Sequence, residues 1–183
     1  MLRAYAAWRA FQDKILARVA ALILVGGTLL ALLEVVRRYV FGTSYIWQQD
    51  AVTYFILSAV FLYFSVSQRH NEHLNVVVLL ELLQTGGRGA KLAAEVIRLA
   101  AITFSFVFML GIVWWGIQEV QGAVHYASRT ESLAFPMWPF LATLLLGFAF
   151  MAVTMLFQVW FEIQKLRGRP VPEEGPQLDR MPD

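Results

Sequence analysis

Four long apolar runs constrain this chain more than any other feature of its sequence. The runs cover about residues 15–36, 49–67, 99–117 and 133–161, and their central parts contain no Asp, Glu, Lys, Arg or His. A helix of about 20 apolar residues spans the roughly 30 Å hydrocarbon core of a bilayer. Because 58% of the residues are hydrophobic and only 15% are charged, a soluble domain is excluded. The sequence predicts an all-α integral membrane protein with four transmembrane helices in one domain, residues 15–161.

Shorter segments flank or interrupt the spans. Residues 1–14 mix aromatic and basic side chains, which is typical of a segment in the headgroup layer. This basic start also resembles a signal peptide, but no convincing small-residue cleavage site follows the apolar run, so we expect a retained first helix. Residues 74–84 are too few to cross a bilayer and predict a short interfacial helix between the second and third spans. Residues 162–183 are expected to form a polar cytoplasmic tail.

The basic residues predict the orientation of the chain. Twelve of the 15 lie in the two termini and the central connection, whereas Arg37, Arg38 and Arg129 lie in the first and third connections. By the positive-inside rule, both termini and the central connection are expected in the cytoplasm. All six tryptophans lie close to predicted helix ends, as an aromatic belt requires.

A short polar bend, residues 37–50, separates the first two spans. Glu34 precedes Arg37 by three residues and Arg38 by four, so an ion pair is sterically available. Two snorkelling arginines beside an exposed glutamate explain the same pattern equally well. Asp50 lies in the first turn of the second span, where the helix dipole favours an acid.

Small and weakly polar side chains mark one face of the second span. They recur at Tyr54, Ser58, Phe61 and Ser65. Membrane helices associate through close packing of small residues, so this face predicts a seam with another helix of this chain or of a partner.

The residues needed for chemistry are missing from the spans. The chain has no cysteine, and His70, His73 and His125 all fall in connections, so no haem or metal site is expected in the membrane. The spacing of His70 and His73 can bring two imidazoles together, but two polar residues capping a membrane helix explain it better. The basic residues form no stripe for nucleic acid. We expect no enzyme, no cofactor and no complete translocation site in this chain.

Several motifs, in order, resemble one family. They are Arg38-Tyr39-Val40-Phe41, Ser44, Trp47-Gln48-Gln49-Asp50, Arg69-His70-Asn71-Glu72-His73-Leu74-Asn75-Val76 and Thr130-Glu131-Ser132-Leu133-Ala134-Phe135-Pro136-Met137-Trp138. Their order and spacing resemble the small membrane subunit of tripartite ATP-independent periplasmic (TRAP) transporters, the DctQ-like family, over about residues 17–160. Asp50 stands where that family usually has a glutamate, and His73 matches the histidine of its Arg-x-x-x-His run.

The resemblance implies a subunit of the bacterial inner membrane that binds a large multi-helix permease subunit. In that family a periplasmic binding protein delivers an organic acid, a sodium gradient drives uptake, and the sodium site belongs to the large subunit. The resemblance and the bend together suggest nine subunit-contact or structural residues, namely Arg38, Phe41, Ser44, Trp47, Asp50, Tyr54, Ser58, His73 and Pro136. We expect Asp50→Ala with Arg38→Ala to weaken assembly or uptake more than Arg129→Ala.

Two alternatives from other classes are a haem- or quinone-binding membrane anchor of a respiratory enzyme and a self-contained small transporter. Both need polar or ligating residues at mid-depth in the membrane, and the four spans lack them. A haem spectrum would support the first alternative, and transport by this chain alone in liposomes would support the second.

Overall fold

The computed structural model describes residues 2–69, 88–132 and 134–167. Its helices are α1 (Leu2–Phe11), a π-helical turn (Gln12–Leu16), α2 (Ala17–Val40), α3 (Ile46–Arg69), α4 (Arg88–His125) and α5 (Trp138–Leu166). The helical stretches Leu2–Val40, Ile46–Gln68, Val96–His125 and Trp138–Leu166 are long and apolar enough to cross a membrane. The four predicted spans are therefore confirmed. The interfacial helix expected at residues 74–84 and most of the predicted tail lie outside the described residues.

Several helix boundaries differ from the apolar runs, and three of them have a reason in the sequence. The first helix begins at Leu2, because no glycine or proline interrupts the chain before Gly26. The third continues to His125, since the polar residues after 117 contain no proline and polarity alone does not end a helix. The fourth begins at Trp138, with Pro139 in its first turn, where proline is tolerated. The headgroup location of residues 1–14 stays a prediction.

The four spans pack side by side in the order α2, α3, α5, α4. Each of these neighbouring pairs has extensive backbone contact in the described part of the chain. Contacts near both ends show that α3 and α5 run parallel, joining Asp50 to Ser132 at one end and Gln68 to Gln158 at the other. The two central helices are therefore not consecutive in sequence, and α4 is the crossover that returns the chain to α3.

Glycine allows the central pair to approach closely. A Cβ atom on Gly147 of α5 would lie 2.7 Å from the carbonyl carbon of Phe61 on α3. Beside this point, the Phe61 ring lies 5.2 Å from that of Phe148, and Tyr54 stacks on Phe140 at 4.4 Å. The predicted face of α3 therefore packs against α5 of the same chain.

The outer helices α2 and α4 leave wide apolar surfaces uncovered. The 18-residue apolar window of α4 contains no buried residue. Its exposed side chains include Phe104, Val107, Phe108, Trp114 and Trp115, and those of α2 include Leu22, Val25, Leu29, Leu32 and Leu33. Apolar surface of this extent is stable only against lipid or another apolar protein surface.

Candidate functional site

Asp50 ties the start of α3 to the connection between α4 and α5. Its Oδ2 atom accepts one hydrogen bond from the backbone N–H of Ser132, at 2.9 Å, and one from the Ser132 hydroxyl, at 2.6 Å. A carboxylate that accepts two donors makes stronger bonds than a neutral acceptor. Asp50 therefore has a specific partner, 82 residues further along the chain.

The partner segment is a compact turn stabilised by its own hydrogen bonds. The Thr130 N–H donates to the Phe135 carbonyl at 3.0 Å, and the Met137 N–H donates to the Ser128 carbonyl at 2.9 Å. Inside this turn the buried Thr130 hydroxyl accepts a bond from the Phe135 N–H at 3.4 Å and lies 3.3 Å from the Ser132 hydroxyl. We call Asp50, Thr130 and Ser132 the outer latch.

Aromatic side chains extend the outer latch to the bend after α2. The Trp47 ring lies edge-on to Phe135, with centroids 6.0 Å apart, and its other neighbour is Tyr45 at 6.3 Å. The Arg37 guanidinium lies over the Tyr45 ring, 4.2 Å from its centroid. Because these contacts join α2, α3 and the α4–α5 turn, the ends of three spans form one unit.

Three other residues of the bend that were predicted as candidates make no hydrogen bond, ion pair or ring contact with the described residues of the outer latch. Arg38, Phe41 and Ser44 are all exposed, and Arg38 forms no ion pair with any described residue. Glu34 forms none with Arg37 or Arg38 either, and it is half-buried, while the Arg37 guanidinium lies on the Tyr45 ring. The snorkelling of the two arginines stays a prediction.

The other predicted residues lie elsewhere. Pro136 belongs to the turn, where it pairs with Arg129 in an isolated antiparallel bridge. Tyr54 and the buried Ser58 lie in the seam between α3 and α5, and His73 is outside the described residues.

At the opposite end of the molecule, a polar stripe on α5 was missed by sequence reasoning. Thr154, Gln158 and Glu162 follow one another at four-residue spacing and are buried. We call these three residues the α5 stripe. Their spacing in an otherwise apolar helix was the available signal, but Glu162 fell just outside the predicted span, in a segment expected to be tail.

Each residue of the α5 stripe binds a different helix. Gln158 donates from Nε2 to the Gln68 carbonyl of α3 at 2.9 Å and accepts from Gln68 Nε2 at 3.1 Å. Glu162 pairs with Arg98 of α4, with Oε1 and Nη2 3.0 Å apart and side chains only 9% and 16% exposed. The third member, Thr154, binds the N-terminal segment.

Gln12 connects the N-terminal segment to both central helices. Its fully buried Nε2 donates to the Thr154 hydroxyl at 2.9 Å and to the Ser65 carbonyl at 3.0 Å. The Trp8 indole N–H also donates to the Thr154 hydroxyl, at 3.2 Å. A backbone carbonyl only accepts, which fixes the orientation of the Gln12 amide. The π-helical turn that begins at Gln12 places this side chain between α3 and α5.

These two clusters consist of contacts that join the helices to one another. Among the described residues, no group of three or more His, Cys, Asp or Glu is placed to hold a metal ion. The contacts bind four spans into a fixed frame and leave the outer faces of α2 and α4 uncovered.

Comparison with known families identifies this frame. The family model for tripartite ATP-independent periplasmic transporters, DctQ component, matches residues 27–165. The chain belongs to the DctQ family. Comparison with curated proteins gives no match. The DctQ match contains the whole outer latch and the whole α5 stripe, whereas Trp8 and Gln12 precede it. As a DctQ component with four apolar helices, the chain is a multi-pass membrane protein of a TRAP transporter.

Proposed function

We propose that this chain is the small membrane subunit of a TRAP transporter and acts as a rigid scaffold for a large permease subunit. The DctQ family match carries the proposal. It is supported by the outer latch and the α5 stripe, which fix the four spans against each other at both ends. A frame fixed in this way suits a part that stays still while a partner moves.

Transport chemistry belongs to the partner in this proposal. Proteins that move ions or organic anions need polar ligands at mid-depth, and the central parts of the four spans contain no Asp, Glu, Lys, Arg or His. The large subunit would therefore hold the sodium and substrate sites. A periplasmic binding protein would deliver an organic acid, and the sodium gradient would drive its uptake.

The uncovered faces of α2 and α4 support a partner of this kind. In lipid, helices of different subunits associate by close packing, and both faces are apolar without a described neighbour. In this proposal the chain lies in a bacterial inner membrane with both termini on the cytoplasmic side, so the outer latch would lie at the periplasmic surface. There it would hold the α4–α5 turn in position beside the arriving binding protein.

An uptake assay tests the proposal. Cells that lack this chain are complemented with wild-type chain or variants, and uptake of labelled C4-dicarboxylates, sialic acid and related carboxylates is measured with and without a sodium gradient. We expect wild-type chain to restore sodium-dependent uptake of at least one acid. Because Asp50 binds Ser132 and Arg38 forms no ion pair with any described residue, Asp50→Ala alone should reduce uptake about as much as Asp50→Ala with Arg38→Ala.

Arg129→Ala is the control for charge at the same end of the molecule, and it should reduce uptake less. Uptake that is unchanged by loss of the chain would contradict the scaffold role. Sodium-dependent transport by this chain alone in liposomes would contradict the scaffold role and show that the chain is a self-contained transporter.

A further inference from the structure

A stripe of exposed residues follows one side of the first helix. Lys14 and Arg18 are followed by Leu22, Val25 and Leu29, which are 73%, 56% and 61% exposed. Residues at this spacing lie on a single helix face. We call these five residues the lipid stripe. Its first two residues are cationic, and the three that follow along the helix are apolar.

Contacts on the opposite face fix the direction in which the lipid stripe points. Gln12, Leu16 and Ala20 are buried, and the last two belong to a core cluster with Leu62 and Val66 of α3. These buried residues are offset by two positions from Lys14, Arg18 and Leu22. Two positions are about 200° apart in an α-helix, and they stay on roughly opposite sides in the wider π-helical turn Gln12–Leu16. The lipid stripe therefore points away from the protein.

The depth of the stripe matches that of a phospholipid. Arg18 and Arg37 lie near the two ends of the first span, and their separation along the helix is about 28 Å at 1.5 Å per residue. That length is close to the roughly 30 Å hydrocarbon core. Lys14 and Arg18 are thus at headgroup depth, and the three apolar residues are at the depth of the acyl chains.

The charge of the stripe is available to a ligand. The neighbouring acid Asp13 pairs with Arg9, with Oδ2 and Nε 3.8 Å apart. Lys14 and Arg18 form no ion pair with any described residue. We propose that the lipid stripe binds one anionic phospholipid of the cytoplasmic leaflet, with its phosphate on Lys14 and Arg18 and an acyl chain along Leu22, Val25 and Leu29. This proposal goes beyond the scaffold function and relies only on the orientation given above.

Native mass spectrometry of the full chain in mild detergent tests the proposal. The chain is titrated with phosphatidylglycerol and, separately, with phosphatidylcholine carrying the same acyl chains. We expect one phosphatidylglycerol to bind roughly tenfold more tightly than phosphatidylcholine, because each basic residue near an anionic headgroup adds to the attraction. Lys14→Ala with Arg18→Ala should reduce this preference to near unity.

Lys165→Ala with Arg167→Ala is the matched control. It removes two positive charges at the C-terminal end of α5, which lies on the same side of the membrane as Lys14 and Arg18. This control should keep the preference. Lys14→Gln with Arg18→Gln replaces the first pair if the alanine variant does not fold. Equal binding of the two lipids by the wild-type chain, or equal loss of preference in both double variants, would overturn the proposal. No partner subunit is needed, so the result is independent of the scaffold function.

Discussion

One carboxylate oxygen, Asp50 Oδ2, accepts both hydrogen bonds that attach the α4–α5 turn to α3. The turn is already folded by its own backbone bonds, so this oxygen decides where the turn sits rather than what shape it has. A glutamate at this position would carry its oxygen one methylene further from the helix, so the length of this side chain bears on the distance between α3 and the turn.

Removing the carboxylate should loosen the turn. We expect Asp50→Ala to lower the melting temperature in detergent and to speed proteolysis within residues 126–137. Ser132→Ala should have a smaller effect, because the backbone N–H of residue 132 still donates to Asp50. Glu131→Ala, which changes an exposed neighbour in the same turn, is the control. If all three variants resist protease like the wild-type chain, the outer latch does not hold the turn.

Gln12 has a comparable role at the other end. Its amide bonds to Ser65 and Thr154 are buried, and hydrogen bonds between membrane helices contribute on average about 0.6 kcal/mol each. Gln12→Ala removes these hydrogen bonds and leaves a cavity. The two effects together should lower the free energy of unfolding by about 1–3 kcal/mol. Trp8→Phe removes a single bond to Thr154 and should cost less than about 1 kcal/mol. Unfolding in mixed detergent measures both, and equal small losses would contradict this account of Gln12.

At the scale of the helices, α5 makes polar side-chain contacts with three other parts of the described chain. Its stripe of polar residues binds the N-terminal segment, α3 and α4 in turn, and Gly147 brings it against the α3 backbone. The outer helices α2 and α4 do not share this role, since each packs mainly on a single span.

Gly147 sets the separation of the two central helices. A methyl group there meets the Phe61 backbone, which cannot move without moving α3. We expect Gly147→Ala to destabilise the protein by about 1–3 kcal/mol, as overpacking does elsewhere. Gly111→Ala on α4 is the matched control, because its new methyl group meets nothing within 4 Å, and it should be neutral or stabilising. Thermal unfolding in detergent compares them, and equal melting temperatures would rule out the close contact.

The pair between Arg98 and Glu162 fixes α4 to α5. Removal of one partner leaves a poorly exposed charge without its counter-ion, so Arg98→Ala should destabilise the fold by about 3 kcal/mol. Arg167→Ala, at an exposed position just after α5, should have little effect. The exchange Arg98→Glu with Glu162→Arg should recover part of the loss. A double-mutant cycle without coupling between the two positions would show that the pair does not hold α4.

At the scale of the whole molecule, the four spans form a row with two exposed ends. The number and approximate position of the spans were predictable, because apolar runs of sufficient length have few other solutions. The order α2, α3, α5, α4 was not, since a residue such as Ser58 marks a packing face without naming the helix that covers it. Asp50 was selected from the sequence, but Ser132 as its partner depends on the parallel pairing of α3 and α5. Gln12 gave no signal, because a polar residue near a predicted interface is ordinary.

The arrangement of the four spans in a row is also consistent with a partner subunit. Both outer helices expose apolar side chains over most of their length. The polar contacts that hold the row lie near the two ends of the spans, close to the expected membrane surfaces. The central parts of the four spans contain no Asp, Glu, Lys, Arg or His, so the proposal assigns the transport route to the large subunit. In the proposed complex, the large subunit would cover part of the exposed surface and lipid the rest.

A mild-detergent pull-down of the tagged chain from its native membranes tests the central claim most directly. Mass spectrometry identifies the co-purifying proteins, and an absorbance spectrum of the same sample detects haem. We predict a large multi-helix membrane protein in roughly stoichiometric amount and no Soret band. A chain that purifies alone, or one that carries a haem spectrum, would contradict the proposal that it is the scaffold subunit of a TRAP transporter.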